Sequence, residues 1–124
     1  MKSEFLGLRT VIYSVSDLEK AKVWYSNAFH TKPYFEAPTY VGFSVAGYEL
    51  GLVPSNLKTE NKTANVETMW GVPNVEQEHK RLIDLGCIEL NEPTDVGGDI
   101  IVSNVKDPWG NVIGLIFNPH FKLP

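Results

Sequence analysis

The side chains able to do chemistry are few and scattered. His30 closes one helical pattern, His79 lies within a second, and His120 stands in the C-terminal tail. A zinc or iron centre needs three or four His, Cys, Asp or Glu donors converging on one point. Nothing in this spacing brings the histidines together, so they are read as surface or capping groups. Cys87 is the single cysteine. It cannot form an internal disulfide, no catalytic neighbour stands beside it, and its default role is a small core residue. Aromatics are concentrated instead: Tyr34, Phe35, Tyr40 and Phe43 fall close together. They offer either faces on which a planar ligand stacks or ordinary sheet packing. Glu49 follows, two residues before Gly51 and hence on the same face of a strand.

The elements that must position these groups can be read from pattern. Leu8 to Val15, "LRTVIYSV", is β-branched and apolar and predicts a strand. Ser16 with Glu19 has the spacing of a capping box, which opens a helix from about Asp17 to Phe29 with a buried face of Leu18, Ala21, Tyr25 and Ala28. Tyr34 to Pro54 carries three short β-rich runs broken by turn signals. Pro54 to Asn65 is polar and breaker-rich, as a linker is. Its Asn61-Lys62-Thr63 matches a glycosylation sequon, a coincidence in the absence of a secretion signal.

The same plan then starts again. "VETMWGV", Val66 to Val72, predicts a strand, Asn74 and Gln77 repeat the cap and its partner, and a second helix runs to about Leu85. Val75, Leu82 and Ile83 form its buried face, Glu76 and Lys80 an i, i+4 pair, and Gly86 its stop. Three β-runs follow, around Glu89, over Ile100 to Val105 and over Val112 to Phe117. Val15 to Glu19 aligns with Val72 to Glu76 at an offset of 57 (72 − 15), and the glycines of "GYELGLV" and "GNVIGLI" at 63 (110 − 47). The turn-rich stretch from Asn91 to Asp99 absorbs the difference. The chain therefore reads as α+β, one domain over 1–124 built from two βαβββ modules, 5–54 and 65–119, with a linker at 55–64 and a tail at 120–124. Neither module can bury a sheet face alone, so the modules are expected to pair about a pseudo-twofold, with curved mixed sheets around a cavity.

Hydrophobic residues at 43% and charged ones at 21% are ordinary for a globular domain. Eleven basic against fifteen acidic residues leave a net charge of −4, without a Lys/Arg stripe able to track phosphates, so nucleic acid is not an expected partner. The longest apolar run, Val112 to Phe117, is far too short to span a bilayer, and the first residues lack a cleavage signal. No membrane association and a cytoplasmic location are the expectations.

Two stretches carry a resemblance: "VSDLEKAKVWYSNAF", Val15 to Phe29, and the Asp-Pro-x-Gly turn in "VKDPWGNVIGLI", Val105 to Ile116. In this order and spacing the chain resembles the vicinal oxygen chelate superfamily, which includes glyoxalases, extradiol dioxygenases, fosfomycin-resistance enzymes and bleomycin-resistance proteins. Metal-dependent members hold a divalent ion with side chains from the first and last strands of both modules. Carried onto this chain, the resemblance places those positions at Thr10, Gly51, Glu67 and Gly114. Only Glu67 is a strong ligand, since a hydroxyl binds poorly unless deprotonated and glycine offers only backbone oxygens already claimed by the sheet. Glu49 could pair with Glu67 as a second carboxylate. No metal site and no cofactor are expected.

The resemblance implies a ligand site walled by Thr10, Ile12, Tyr34, Phe43, Glu49, Gly51, Glu67, Met69 and Gly114. Strand alternation turns Thr10, Ile12, Glu67 and Met69 toward the cavity, and Val11, Tyr13 and Trp70 toward the helices. Trp24 and Tyr25 are read as packing residues, Trp109 as a rim or dimer contact. The function expected is metal-free binding or sequestration of a small molecule, as in bleomycin-resistance proteins, by a homodimer like many relatives. The alternative is a lyase, isomerase or dioxygenase with an atypical metal site or with Glu67 as general base. A third reading is an interaction domain with a filled cavity.

Overall fold

The computed structural model describes residues 4, 8–55, 62 and 66–122. The chain divides into two compact units, Met1–Asn56 and Leu57–Pro124. Most of the stretch read as a linker lies outside the described residues.

In the first unit the order is β1 (Thr10–Val15), α1 (Leu18–Ala28), β2 (Phe35–Ala37), β3 (Tyr40–Val45) and β4 (Tyr48–Pro54). The second repeats it with β5 (Met69–Gly71), α2 (Val75–Asp84), β6 (Ile88–Asp95), β7 (Ile101–Lys106) and β8 (Val112–Phe117). Each forms a four-stranded sheet, ordered β1-β4-β3-β2 and β5-β8-β7-β6, with one parallel pair, β1 with β4 and β5 with β8. These are the two βαβββ modules of an α+β fold. The duplication holds at the level of hydrogen-bond register: Ile12 lies beside Gly51 and Met69 beside Gly114, the offsets of 57 and 63 read from the sequence.

Local chemistry accounts for the element ends, with one correction. The cap of α1 is Asp17, not Ser16. Its backbone is extended and its carboxylate accepts from the Lys20 N–H at 3.1 Å, the i to i+3 bond that satisfies an otherwise unpaired donor of the first turn. Asn74 caps α2 as expected, accepting from Gln77 N–H at 3.0 Å. Gly86, at φ +108°, takes the left-handed conformation that ends α2, and Cys87 N–H returns to the Leu82 carbonyl. Both first strands are shorter than their apolar runs suggest. β1 begins at Thr10 and β5 only at Met69, so Glu67 precedes the strand it was expected to occupy. The residues just before each strand are still tied to the neighbouring strand, Glu49 N–H donating to the Arg9 carbonyl at 3.3 Å and Gly114 N–H to the Thr68 carbonyl at 2.8 Å.

Each helix covers one face of its own sheet. Under α1 the core is aromatic: Tyr25 is fully buried, its ring 5.8 Å from that of Tyr13, 5.7 Å from Phe29 and 4.8 Å from Trp24. Val15, Val41, Phe43, Leu50 and Leu52 complete it. Under α2 lie Val75, Leu82, Val105, Ile113 and Leu115, together with a buried polar pair, His79 and Ser103. Among the described residues no helix is long and apolar enough to cross a membrane.

Candidate functional site

In the first unit, strand pairing places Thr10 beside Glu49, Ile12 beside Gly51, Gly42 beside Gly51 and Phe35 beside Gly42. Registered partners share a face, so Thr10, Ile12, Phe35, Tyr40, Gly42, Glu49 and Gly51 lie on the face opposite α1. On it Glu49 is gripped by two phenols. Tyr34 Oη donates to Oε1 and Tyr40 Oη to Oε2. The two hydrogen bonds, Tyr34's first, hold the Glu49 carboxyl below its ordinary value against a smaller opposing push from burial. The same bonds act in reverse on the phenols. Tyr40 is pushed up to about 12, first by burial and then by its bond to Glu49, while Tyr34 is raised chiefly by that bond.

Glycine makes this cluster possible. A Cβ on Gly51 would meet the Tyr40 hydroxyl and sit 2.7 Å from Cζ, and one on Gly42 would sit 3.2 Å from Tyr40 Cε2 and 3.3 Å from Tyr34 Cε1. The two rings lie across the bare strands. Beside them, Tyr34, Phe43, Ser44, Gly47, Tyr48 and Glu49 border a pocket of about 300 Å³. Tyr34, Phe35 and Tyr48 expose roughly half their surface or more, at 62%, 49% and 45%.

The corresponding face of the second unit is built from amides. Asn91 Nδ2 donates to Asn104 Oδ1 at 2.8 Å, and Asn104 Nδ2 donates to Glu67 Oε1 at 3.3 Å. Asn104 pairs across the sheet with Gly114, and Gly114 with Met69. Here too the glycine is covered by its own module: a Cβ on Gly114 would meet Met69 Sδ and lie 2.6 Å from the Thr68 carbonyl. Glu67, Met69, Asn91, Thr94, Val102 and Asn104 are among the residues around a pocket of about 270 Å³.

The nine expected site residues thus divide. Tyr34 and Glu49 come together, with Thr10, Ile12 and Gly51 on the same face; Glu67, Met69 and Gly114 come together in the other unit. Phe43 borders the first-unit pocket, but its side chain is fully buried on the α1 side with Leu50 and Leu52, because β3 alternation turns it away from Tyr40 and Gly42. Tyr40 was a candidate as an aromatic face but not as a bond donor to Glu49, and Asn91 and Asn104 were not foreseen. Alternation back from Gly42 points to Tyr40, whereas the bulges in β6 between Glu89 and Thr94 break the alternation that would have pointed to Asn91.

The metal positions implied by the resemblance do not make a ligand set. Thr10 offers a hydroxyl, and the spaces beside Gly51 and Gly114 are taken by Tyr40 and Met69. Among the described residues no three His, Cys, Asp or Glu side chains converge.

His79 is a correction to the surface reading. It is only 5% exposed, with Nδ1 2.9 Å from Ser103 Oγ and Nε2 2.7 Å from Glu89 Oε2. A carboxylate only accepts, so Nε2 carries a proton and Nδ1 can take the serine's. Ser103 is itself buried on the helix side of β7, which makes the trio a polar clasp between α2 and its sheet. His120 Nε2 contacts the Gly98 carbonyl at 2.8 Å on the surface. Cys87 is core, its thiol pushed up to about 12 by burial and secondarily by Asp107, which removes it as a nucleophile. Asp107 builds the turn before β8, accepting from Trp109 N–H, Asn111 N–H and Asn111 Nδ2 at 2.7 to 3.0 Å. Trp109 is half-buried.

A family model described as the Glyoxalase/Bleomycin resistance protein/Dioxygenase superfamily matches residues 7–115. Solved structures agree at the level of fold. A glyoxalase-related enzyme from Fulvimarina pelagi is 17% identical, with 97% of this chain and 94% of that one covered and a TM-score of 0.78. A genomically encoded fosfomycin resistance protein from Listeria monocytogenes is 16% identical, with 96% and 97% covered and a TM-score of 0.74. A glyoxalase/bleomycin resistance protein/dioxygenase from Alicyclobacillus acidocaldarius is 12% identical, with 92% of each chain covered and a TM-score of 0.71. No curated protein sequence matches the chain.

Proposed function

Because the chain belongs to the glyoxalase/bleomycin resistance protein/dioxygenase superfamily, yet has tyrosine and methionine packed where a last-strand ligand would stand, we propose that it binds a small organic molecule without a metal. The site is the open face of the first unit, around Tyr34, Tyr40, Tyr48 and Glu49. The observation that carries this reading is the Tyr34–Glu49–Tyr40 cluster. An ionised carboxylate fixed by two phenols, beside exposed aromatic rings and a pocket of about 300 Å³, has the make-up of a ligand site: mostly apolar walls with a few fixed polar groups, at the small end of the usual range. The fosfomycin resistance protein of the same fold is consistent with a role in handling small molecules. Glu67 suits the base of an enzyme less well, since it lies outside the strand and its bonded neighbour is an amide, Asn104, already committed to it.

The test is a small-molecule panel followed by NMR on chelator-treated protein, with and without added nickel, zinc and manganese. Binding that shifts Tyr34 and Tyr40 resonances equally in both conditions is the expected result. Binding that appears only when a metal is restored, or that leaves these residues unmoved, would overturn it.

A further inference from the structure

Resting on the proposed site in the first unit, the chemistry of Glu49 narrows what kind of molecule suits it. A carboxylate that is to hold a primary ammonium or a guanidinium presents its oxygens to the ligand's N–H groups, because a donor taken out of water without an acceptor is costly. Here each carboxylate oxygen already accepts a hydroxyl from the chain itself, Oε1 from Tyr34 and Oε2 from Tyr40, so two of its roughly four acceptor sites are taken before any ligand arrives. The charge remains, since hydrogen bonds to the ionised form favour it. What the cluster offers outward is negative potential framed by aromatic carbon: Tyr34 and Phe35, 62% and 49% exposed, the Phe35 ring 6.2 Å from that of Tyr40, and Tyr48 at the pocket edge.

A cation without N–H donors fits that environment best. It needs no acceptor, it is weakly hydrated, and it gains from ring faces within about 6 Å as well as from a nearby anion. We infer that the Tyr34–Glu49–Tyr40 face takes a quaternary ammonium group, or a comparably donor-free organic cation, in preference to a primary amine. Toward the ligand Glu49 acts as counter-charge, and Tyr34 serves twice, as a bond donor to Glu49 and as a ring wall of the pocket with Tyr48. The net charge of −4 favours approach of a cation in a salt-dependent way.

Three probes separate the contributions: choline, its uncharged isostere 3,3-dimethylbutan-1-ol, and ethanolamine, which keeps the charge and hydroxyl of choline but replaces its three methyl groups with N–H donors. Each is titrated into the full chain by NMR, reading Tyr34, Tyr40 and Tyr48. Choline is expected to bind about tenfold more tightly than the neutral alcohol, and ethanolamine to fall on the weak side with it. Glu49→Gln, which keeps the shape and an acceptor for one phenol, is expected to reduce choline binding about tenfold and leave the alcohol unchanged. If the alcohol binds as tightly as choline, the face is an apolar pocket: the cation inference fails while the small-molecule reading stands. If ethanolamine binds more tightly than choline, Glu49 is acting as an acceptor and the inference fails. If none of the three moves the tyrosine resonances while other molecules of the panel do, only the inference falls. If nothing in the panel moves them, both fall.

Discussion

The two modules share a backbone plan and almost nothing of the chemistry on it. Their strands pair in the same order, Ile12 and Met69 stand beside equivalent glycines, and both helices are capped by an acidic or amide side chain three residues before the bonded N–H. On the helix side, however, the first unit closes over stacked rings, Tyr13, Tyr25 and Phe29, and the second over the His79–Ser103–Glu89 clasp. The open faces diverge in the same manner: phenols on a carboxylate in one, a chain of amides ending on a carboxylate in the other. A repeated fold constrains hydrogen-bond register and the positions that must be small. It leaves the side chains around those positions to change, provided that each buried polar atom keeps a partner.

The largest difference between the halves should appear in their interiors. Tyr25→Ala empties a fully buried aromatic site and is expected to cost about 3–5 kcal/mol. His79→Ala removes one partner of Ser103 and is expected to cost about 2 kcal/mol. Urea unfolding of both variants checks the order; equal losses would mean that the polar clasp holds its helix as strongly as the aromatic stack.

A smaller contrast lies in the paired glycines. At Gly114 an added methyl meets a backbone carbonyl, Thr68, which cannot swing aside, whereas at Gly51 it meets the end of the Tyr40 side chain. Gly114→Ala is expected to cost about 2 kcal/mol and Gly51→Ala about 1 kcal/mol. Calorimetric Tm values decide it, and Gly51→Ala should also displace Tyr40 from Glu49. The reverse order would show that the Tyr40 ring is the more rigid neighbour.

The subtlest test is protonation. Spectrophotometric titration should find one tyrosine ionising near pH 12, Tyr40. In Glu49→Ala, Tyr34 should return toward its ordinary 10.0 while Tyr40 stays elevated, since burial is its larger cause. The sign for stability follows. The lowered Glu49 pKa contributes stability above the ordinary carboxyl value of 4.5 that is lost as pH falls through its folded value. The raised Tyr40 pKa contributes stability below 10.0 that is lost as pH climbs toward about 12. The wild-type advantage in Tm over Glu49→Ala should therefore be flat at neutral pH and shrink in acid.

Much of this was legible in the linear chain because it depends on local and periodic chemistry. Helical spacing predicted α1 and α2, Asn74 announced its cap, Gly86 its stop, and the two glycine-centred segments disclosed the duplication and its offset. Those signals are carried by residues near in sequence, where a period of 3.6 or 2 and a turn's φ requirement leave a trace. Even there competition between neighbours decided the detail, as when Asp17 took the cap from Ser16. What tertiary structure alone decided was who faces whom. Tyr40 filling the space beside Gly51, Tyr34 closing on Glu49, Asn91 reaching Asn104 across a bulged strand, and His79 sinking between Ser103 and Glu89 all join residues from separate elements. Their meeting depends on register and on bulges that shift alternation by a residue, and single residue types carry no record of that.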